Sequence, residues 1–190
     1  MTVDEMRRTL MSRLKKQRFA HSIGVADTAV RLAERFGVDR EKTYIAGLLH
    51  DCAREFENDR LPLEAIKRKI PINEVELATP LLLHAPLGAR MVTEIYGVDE
   101  PEIIRAIERH TVAARNMSPL DKIIYFADMI EPHRDYPGVE ELRRLSREAS
   151  LDDMFFTGLE QTILFIISKN APLHPSTIDA RNYLLIEKMK

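Results

Sequence analysis

Four histidines and two aspartates in this chain lie in or beside apolar sequence with helical spacing, where folding would bring them together. They are His21, His50, Asp51, His84, His110 and Asp128. Imidazole nitrogens and carboxylate oxygens that converge in a protein interior are the donors that a divalent metal ion needs. The residue types and their placement therefore predict a metal-dependent hydrolase.

Asp128 carries much of this prediction, because it interrupts the apolar run of residues 123–130. A bare carboxylate is costly to bury, so Asp128 must be neutralised or paired. A metal ion is one partner, and an ion pair with Arg105 or Arg109 is the alternative that the sequence leaves open. The histidines have an alternative too, since a histidine beside an apolar stripe is commonly a hydrogen-bonded core residue.

His50 and Asp51 are adjacent in the sequence. Neighbouring side chains on a helix point about 100° apart, so both reach one ion only if it lies off the helix edge between them. A second helix must then close the site, and His21 and Asp128 are the candidates for this role. The nitrogen and oxygen donor set suits iron, manganese, cobalt or zinc, and the sequence does not choose among them.

The elements that must position these residues are predicted to be helices, because apolar residues recur with a helical period nearly throughout the chain. Thr2 and Glu5 form a capping box for the first helix. A second helix covers about residues 19–36 and ends at Gly37, and Asp39 can cap a third.

Prolines support this segmentation. Ser118 and Asp121 form another capping pattern around Pro119, and Pro86 indicates that a helix begins close to His84. Further predicted helices begin near Pro62 and Pro101 or cover residues 140–147, 151–169 and 177–190. No alternating strand pattern is present. We therefore predict an all-α fold, a single compact bundle of roughly eight to ten helices forming one domain over residues 1–190.

Composition narrows the class of protein. A formal net charge of −2 gives no electrostatic argument for nucleic acid as a partner. The single cysteine, Cys52, cannot form an internal disulfide and is expected to be a buried thiol. The polar amino terminus does not resemble a signal peptide, and the longest apolar run, residues 163–167, is too short to span a membrane. We expect a cytoplasmic protein with no membrane partner.

The motifs of this chain resemble those of the HD-domain phosphohydrolases, whose signature is H…HD…D with two further histidines between. Within that superfamily the chain resembles the YqeK family, the symmetric bis(5'-nucleosyl)-tetraphosphatases. The matching stretches are residues 18–25, 46–54, 82–89, 108–111, 121–132, 134–139 and 173–177. The chain departs from the family pattern with Arg54 for lysine, His133 for asparagine, and Val112-Ala113 for Thr-Gly.

The resemblance implies one metal ion, iron, held by four side chains: His21, His50, Asp51 and Asp128. It implies that His84 and His110 contact phosphate or move a proton, and the alternative is that they hold a second ion. Arg54, four residues after His50, is expected on the same helical face, within reach of a phosphate, and is counted with His84 and His110 as catalytic. The implied substrate-binding residues are Arg18, His21, Asp51, Arg54, His84, His110, Thr111 and Arg134.

The reaction that the resemblance implies is the hydrolysis of a dinucleoside polyphosphate, diadenosine tetraphosphate, to two molecules of ADP. One alternative is an HD-type nucleotidase or phosphodiesterase that acts on mononucleotides. The other is a nucleotide-binding protein that keeps the metal without turnover. A homodimer is a further expectation.

Overall fold

The computed structural model describes residues 1–189, and these residues form helices and connecting loops without a strand. The α-helices are α1 (Val3–Arg13), α2 (Lys16–Phe36), α3 (Arg40–Leu49), α4 (Leu61–Lys67), α5 (Glu74–Ala78), α6 (His84–Tyr96), α7 (Pro101–Arg109), α8 (Pro119–Ile130), α9 (Val139–Glu148), α10 (Leu151–Ser168) and α11 (Pro175–Lys188). Two short 3₁₀ helices cover Cys52–Glu55 and Pro80–Leu83. The prediction of an all-α bundle is confirmed.

The helix boundaries follow local sequence signals. Capping boxes at Thr2 and Ser118 begin α1 and α8, and the side chain of Asp39 caps α3, all as predicted. Gly37, in the left-handed conformation, ends α2. The described residues contain eleven α-helices rather than eight to ten, since α5 has only five residues, too few to show a period. The predicted last helix, residues 177–190, is observed as α11, and Lys190 lies outside the described residues.

The core places α2 at the centre, where it packs against both α3 and α8, while α7 packs against α3, α6 and α8. Fully buried side chains such as Leu48, Leu49, Ile107 and Phe126 fill the space between these helices. A second apolar cluster, including Tyr125, Phe155, Leu159, Ile163 and Leu184, joins α10 and α11 to the outer side of α8. None of the helices in residues 1–189 is both long and apolar enough to cross a membrane.

A glycine allows α2 and α3 to approach closely. A Cβ atom on Gly47 would lie 2.8 Å from the Cα atom of Ala26. This is closer than two carbon atoms normally approach, and the backbone of α2 could not move away without shifting the helix. Glycine at this position therefore lets the carboxyl end of α3 lie directly against the middle of α2. That contact brings His50, at the end of α3, beside His21 on α2.

Candidate metal centre

The four predicted metal ligands lie together at the centre of the bundle. His21 comes from α2, His50 ends α3, Asp51 follows it, and Asp128 comes from α8. His21 Nε2 lies 3.0 Å from Asp128 Oδ1 and 3.7 Å from Asp51 Oδ2. His50 Nε2 lies 3.6 Å from Asp51 Oδ2 and 3.8 Å from Asp128 Oδ1. The donor atoms of three separate helical segments thus converge on one buried point.

The orientation of three histidines is set by a bond to the backbone of their own helix end. The Nδ1 atoms of His50 and His110 each lie 2.7 Å from the carbonyl oxygen three residues earlier, and His84 makes the same contact with Leu81. A carbonyl oxygen only accepts, so Nδ1 must carry the proton in each ring. The Nε2 atoms are therefore left facing the interior of the site as lone-pair donors.

His21 lies in the middle of α2 and is oriented by a carboxylate instead. Its Nδ1 lies 3.0 Å from Oε1 of Glu131, whose side chain is 1% exposed. Oε2 of Glu131 accepts from the backbone N–H of His133 at 2.8 Å and lies 2.9 Å from Nδ1 of that ring. A carboxylate behind a ligating histidine fixes the ring orientation and raises the basicity of the other nitrogen. Glu131 thus directs Nε2 of His21 toward the two aspartates.

A glycine makes room for this buried carboxylate. A Cβ atom on Gly24, one turn after His21 on α2, would lie 2.5 Å from Oε2 of Glu131 and 3.4 Å from Nδ1 of His133. Any larger residue would push the carboxylate away from its position. Gly24 therefore helps to position His21 indirectly, because it leaves space for the carboxylate of Glu131.

The donor set fits a divalent metal ion. The Nε2 atoms of both His21 and His50 are buried and make no hydrogen bond, although each faces carboxylate oxygens. Lone pairs on nitrogen and oxygen this close together need a proton or a cation between them. Combinations of three donors, including His21 with His50 and Asp51, lie within 4.8 Å of one another, which suits coordination of one ion.

The remaining two histidines form a second group beside Asp51. His84 Nε2 lies 3.0 Å from His110 Nε2 and 3.2 Å from Asp51 Oδ1. The hydroxyl oxygen of Thr111 lies 3.2 Å from His84 Nε2 and 3.0 Å from His110 Nε2. With Nδ1 already bonded in both rings, this group can pass a proton between its members or accept one cation.

Burial and neighbouring charges shift the pKa values in opposite directions. Burial lowers the pKa of His50, and it lowers the pKa of His110 to about 3, with His50 and His84 adding to the effect. Burial alone would raise the pKa of Asp128, but His21 and Arg134 outweigh it and hold that pKa well below its usual range. Burial alone would lower the pKa of His21, but Asp128 and Glu131 outweigh it and raise that pKa. Around neutral pH His50 and His110 are therefore neutral and Asp128 is ionised, the protonation states that bind metal.

Three arginines predicted to contact phosphate lie at the mouth of this centre. Arg18, Arg54 and Arg134 line a pocket of about 380 Å³ that reaches His21. Arg18 donates to Asp51 Oδ2 at 2.8 Å, and Arg134 donates from Nη2 to the carboxylate of Asp128 and from Nε to its backbone oxygen. Nη1 of Arg54 is buried without a partner, so a donor is available in the pocket.

Two expectations require correction. Arg54 does not share a helical face with His50, because α3 ends at Leu49 and a 3₁₀ helix begins at Cys52. The turn nevertheless leaves Arg54 in the pocket lining. The alternative pairing of Asp128 with Arg105 or Arg109 is wrong, since both arginines lie near Asp121, at 3.9 and 3.2 Å.

Sequence reasoning missed Glu131 as a functional residue. The available signal was its position three residues after Asp128, at the end of the same apolar helix. The fold turns this spacing into two carboxylates that contact opposite nitrogens of one histidine.

Comparison with known proteins agrees with this geometry. The HD domain family model matches residues 18–132, more than half of the chain. The symmetrical bis(5'-nucleosyl)-tetraphosphatase of Halalkalibacterium halodurans is 38% identical over 92% of this chain and 92% of its own length. The enzyme of that name from Bacillus subtilis is 36% identical over 97% of this chain and 98% of its own length.

A solved structure supports the same relationship. A crystal structure from Clostridium acetobutylicum, described as a predicted HD superfamily hydrolase involved in NAD metabolism, superposes with a TM-score of 0.93. It is 39% identical and covers 98% of both chains. The chain belongs to the HD domain family and is a hydrolase of that class. Within this class it belongs to the family of the symmetrical bis(5'-nucleosyl)-tetraphosphatases.

Proposed function

We propose that this chain hydrolyses dinucleoside polyphosphates and cleaves diadenosine tetraphosphate symmetrically into two molecules of ADP. The relatives that carry this activity in their names match nearly the whole chain. The observation that carries the proposal is the convergence of two histidines and two aspartates, whose donor atoms suit a metal ion, beside a pocket lined by three arginines. A phosphoanhydride needs both features, since charge develops on its oxygens as the bond breaks.

The proposed metal ligands are His21, His50, Asp51 and Asp128. A divalent metal supplies a Lewis acid that polarises a phosphoryl group and makes water more acidic. The chain itself orients two of these ligands through bonds behind the imidazole rings, from Glu131 to His21 and from the Gly47 carbonyl to His50. Rings fixed in this way present their lone pairs without further reorganisation.

The arginines are proposed to bind the phosphate chain. Arg54 has a buried, unpaired Nη1 in the pocket, and Arg18 and Arg134 hold their guanidinium groups beside Asp51 and Asp128. Guanidinium groups bind phosphate oxygens in a bidentate manner and keep their charge at any working pH. Together they would hold one ADP half of the substrate while the bond between the two central phosphates is placed at the centre.

His84, His110 and Thr111 are proposed to transfer the proton that the leaving oxygen receives. Hydrolysis adds the hydroxyl of water to one central phosphorus and a proton to the oxygen that leaves with the other ADP. The three side chains share contacts of 3.0–3.2 Å, so a proton can move within the group toward the leaving oxygen. Their alternative role is to hold a second cation with Asp51.

We infer iron as the metal of this site, by similarity to the family. Nitrogen and oxygen donors without a thiolate support a first-row transition metal, a class that also includes manganese, cobalt and zinc. Elemental analysis of the purified protein identifies the metal and counts the ions. About one equivalent of iron is expected, and about two would assign the second cation to His84 and His110.

Product analysis on diadenosine tetraphosphate tests the proposed reaction. ADP as the single nucleotide product is expected, whereas ATP with AMP would show asymmetric cleavage. Equal or faster release of phosphate from AMP would favour a mononucleotidase. Binding of ADP without metal-dependent turnover on any dinucleoside polyphosphate would instead identify a nucleotide-binding protein. The variant Asp128→Ala serves as the inactive control.

The homodimer and the cytoplasmic location stay predictions. Light scattering coupled to size exclusion measures the first: a mass near twice the 21.9 kDa chain is expected. Fractionation of the source cells measures the second.

A further inference from the structure

A second basic pocket lies behind the metal centre, on the far side of residues 130–134, which we call the 130–134 segment. Its volume is about 670 Å³, and its lining includes Arg31 and Arg35 of α2, and Arg143 and Arg147 of α9. None of the residues that line it also lines the pocket at the metal centre. Four guanidinium groups thus surround one concave surface that the proposed reaction does not use.

The 130–134 segment is the wall between the two pockets. Glu131, His133 and Arg134 line the pocket at the metal centre, whereas Ile130 and Pro132 line the second pocket. The two concave surfaces therefore face opposite sides of the same short stretch of chain. A ligand in the second pocket would not contact the metal ligands directly.

Most of the positive charge in this pocket has no acidic partner. Arg31 donates to the hydroxyl of Thr28 at 2.9 Å, and Arg35 donates to the backbone oxygen of Ser146 at 3.0 Å. Within residues 1–189, neither of them nor Arg147 contacts a carboxylate, and the pocket lining contains no acidic residue. Arg143 alone has an acidic partner, Glu140, on its outer side.

Two other surface arginines show what a paired guanidinium group looks like in this chain. Arg40 pairs with Glu34 at 2.9 Å, and Arg144, next to Arg143, pairs with both Glu141 and Glu148. Three arginines without a carboxylate partner thus share one concave surface, on a chain whose net charge is −2. Like charges held together without counter-charges repel one another, so the arrangement favours an anion that neutralises several of them at once.

We propose that this second pocket is a binding site for a phosphate-bearing small anion. Guanidinium groups match the geometry of phosphate oxygens, and a concave surface suits a small molecule better than a flat macromolecular partner. The proposal goes beyond the proposed hydrolase activity and concerns binding alone. The anion would lie between α2 and α9, against Ile130 and Pro132.

Calorimetric titration of the metal-loaded enzyme with ADP tests the site. Two equivalents of ADP are expected per chain, one at each pocket. The double variant Arg31→Gln/Arg147→Gln should lower the affinity for the second equivalent of ADP by about tenfold or more and leave turnover of diadenosine tetraphosphate unchanged. Both arginines are exposed, and their contacts with other elements are few, so the variant is expected to fold.

The matched control is Arg8→Gln/Arg90→Gln, which removes two exposed arginines outside the pocket and changes the net charge equally. It should keep both equivalents. A single equivalent in the unmodified enzyme, or an equal loss in both double variants, would overturn the proposal. Inorganic phosphate should displace the second equivalent of ADP, and a second equivalent insensitive to phosphate would show recognition of the base instead and reject a phosphate site. This binding assay remains informative even if the enzyme hydrolyses a different polyphosphate.

Discussion

The two faces of the 130–134 segment treat charge in opposite ways. Toward the metal centre, Glu131 contacts both His21 and His133, and Arg134 contacts Asp128, so each charged side chain of the segment itself has a defined partner. Toward the second pocket, exposed arginines gather without carboxylates among the described residues. Paired charges in a buried site fix geometry, whereas unpaired charges near solvent keep their capacity to bind an anion.

This difference predicts how the two faces tolerate substitution. Removing one member of a buried, paired set leaves the others unsatisfied, so the consequences spread through the metal centre. An exposed arginine is already solvated, so replacing it leaves no buried group without a partner. Variants on the inner face should therefore change metal content and turnover, and variants of the exposed arginines should change anion binding alone.

The largest expected effect comes from the proposed metal ligands. Asp128→Ala and His50→Ala should each lose the bound metal and lower kcat/KM by about a thousandfold or more, since the Lewis acid supplies several kcal/mol. Elemental analysis and turnover of diadenosine tetraphosphate, measured on the same sample, check this. Asp152→Ala, an exposed aspartate near the start of α10, is the control. Full metal content in the Asp128 variant would remove it from the ligand set.

The next effect separates proton transfer from metal binding. His110→Ala should keep the metal and lower kcat by about 10²–10⁴-fold, because His110 Nε2 lies 3.0 Å from His84 Nε2 and from the Thr111 hydroxyl, nearer than the 3.9 Å that separates it from Asp51 Oδ1. The measurement is kcat together with metal content. Metal-depleted His110→Ala protein would show that this ring ligates an ion, which would support the binuclear alternative.

How much of the metal centre the sequence predicts depends on the distance along the chain between partners. His50 and His110 bond to carbonyls three residues earlier at helix ends, a local arrangement that helix boundaries make predictable. Glu131 and His21 are separated by 110 residues, and no periodic pattern connects them. The helical bundle could be predicted from apolar spacing, capping residues and prolines, but this contact depends on how α2 and α8 cross.

Two further features escaped prediction for similar physical reasons. Arg54 was expected on a continuous helix, but the chain changes to a 3₁₀ helix after Asp51, which the apolar pattern does not reveal. The second pocket gathers arginines from α2 and α9, more than a hundred positions apart. In the sequence each of these arginines resembles an ordinary solvated surface charge. Only the packing of α2 against α9 brings their side chains to one pocket.

Glu131→Gln sharpens the comparison on the inner face. The side chain of Gln has one acceptor oxygen, whereas the two oxygens of the Glu131 carboxylate contact His21 and His133. The variant should therefore bind metal about 10–100-fold more weakly, the range found when the hydrogen-bond partner of a ligating histidine is removed. Competition with a chelator measures the affinity, and saturating metal should restore most of the turnover. That rescue distinguishes a positioning residue from a group that contacts substrate.

Gly24→Ala tests the position of the Glu131 carboxylate through a residue of α2 that packs against it. Its Cβ would meet Oε2 of Glu131 at 2.5 Å, so the variant should weaken metal binding in the same direction but by less than Glu131→Gln. Unchanged affinity in both variants would mean that the Glu131 contact does not govern His21.

The smallest expected effect on activity lies where the two faces meet. Arg143 donates to the backbone oxygens of Ile130, Glu131 and Arg134 at 2.7–3.0 Å, which ties α9 to the 130–134 segment. Arg143→Gln removes these charge-assisted bonds and should lower the melting temperature by roughly 2–8 °C and the metal affinity by a few fold. Thermal unfolding followed by circular dichroism and the chelator assay measure both.

Arg144→Gln is the matched control, because the neighbouring arginine only pairs with Glu141 and Glu148 on the surface of α9. Surface ion pairs contribute about 0–1 kcal/mol, so neither the melting temperature nor the metal affinity should change appreciably. Equal behaviour of the two variants would show that Arg143 does not tie the segment to α9. A specific loss in Arg143→Gln would instead show that the two faces depend on one side chain for their common wall.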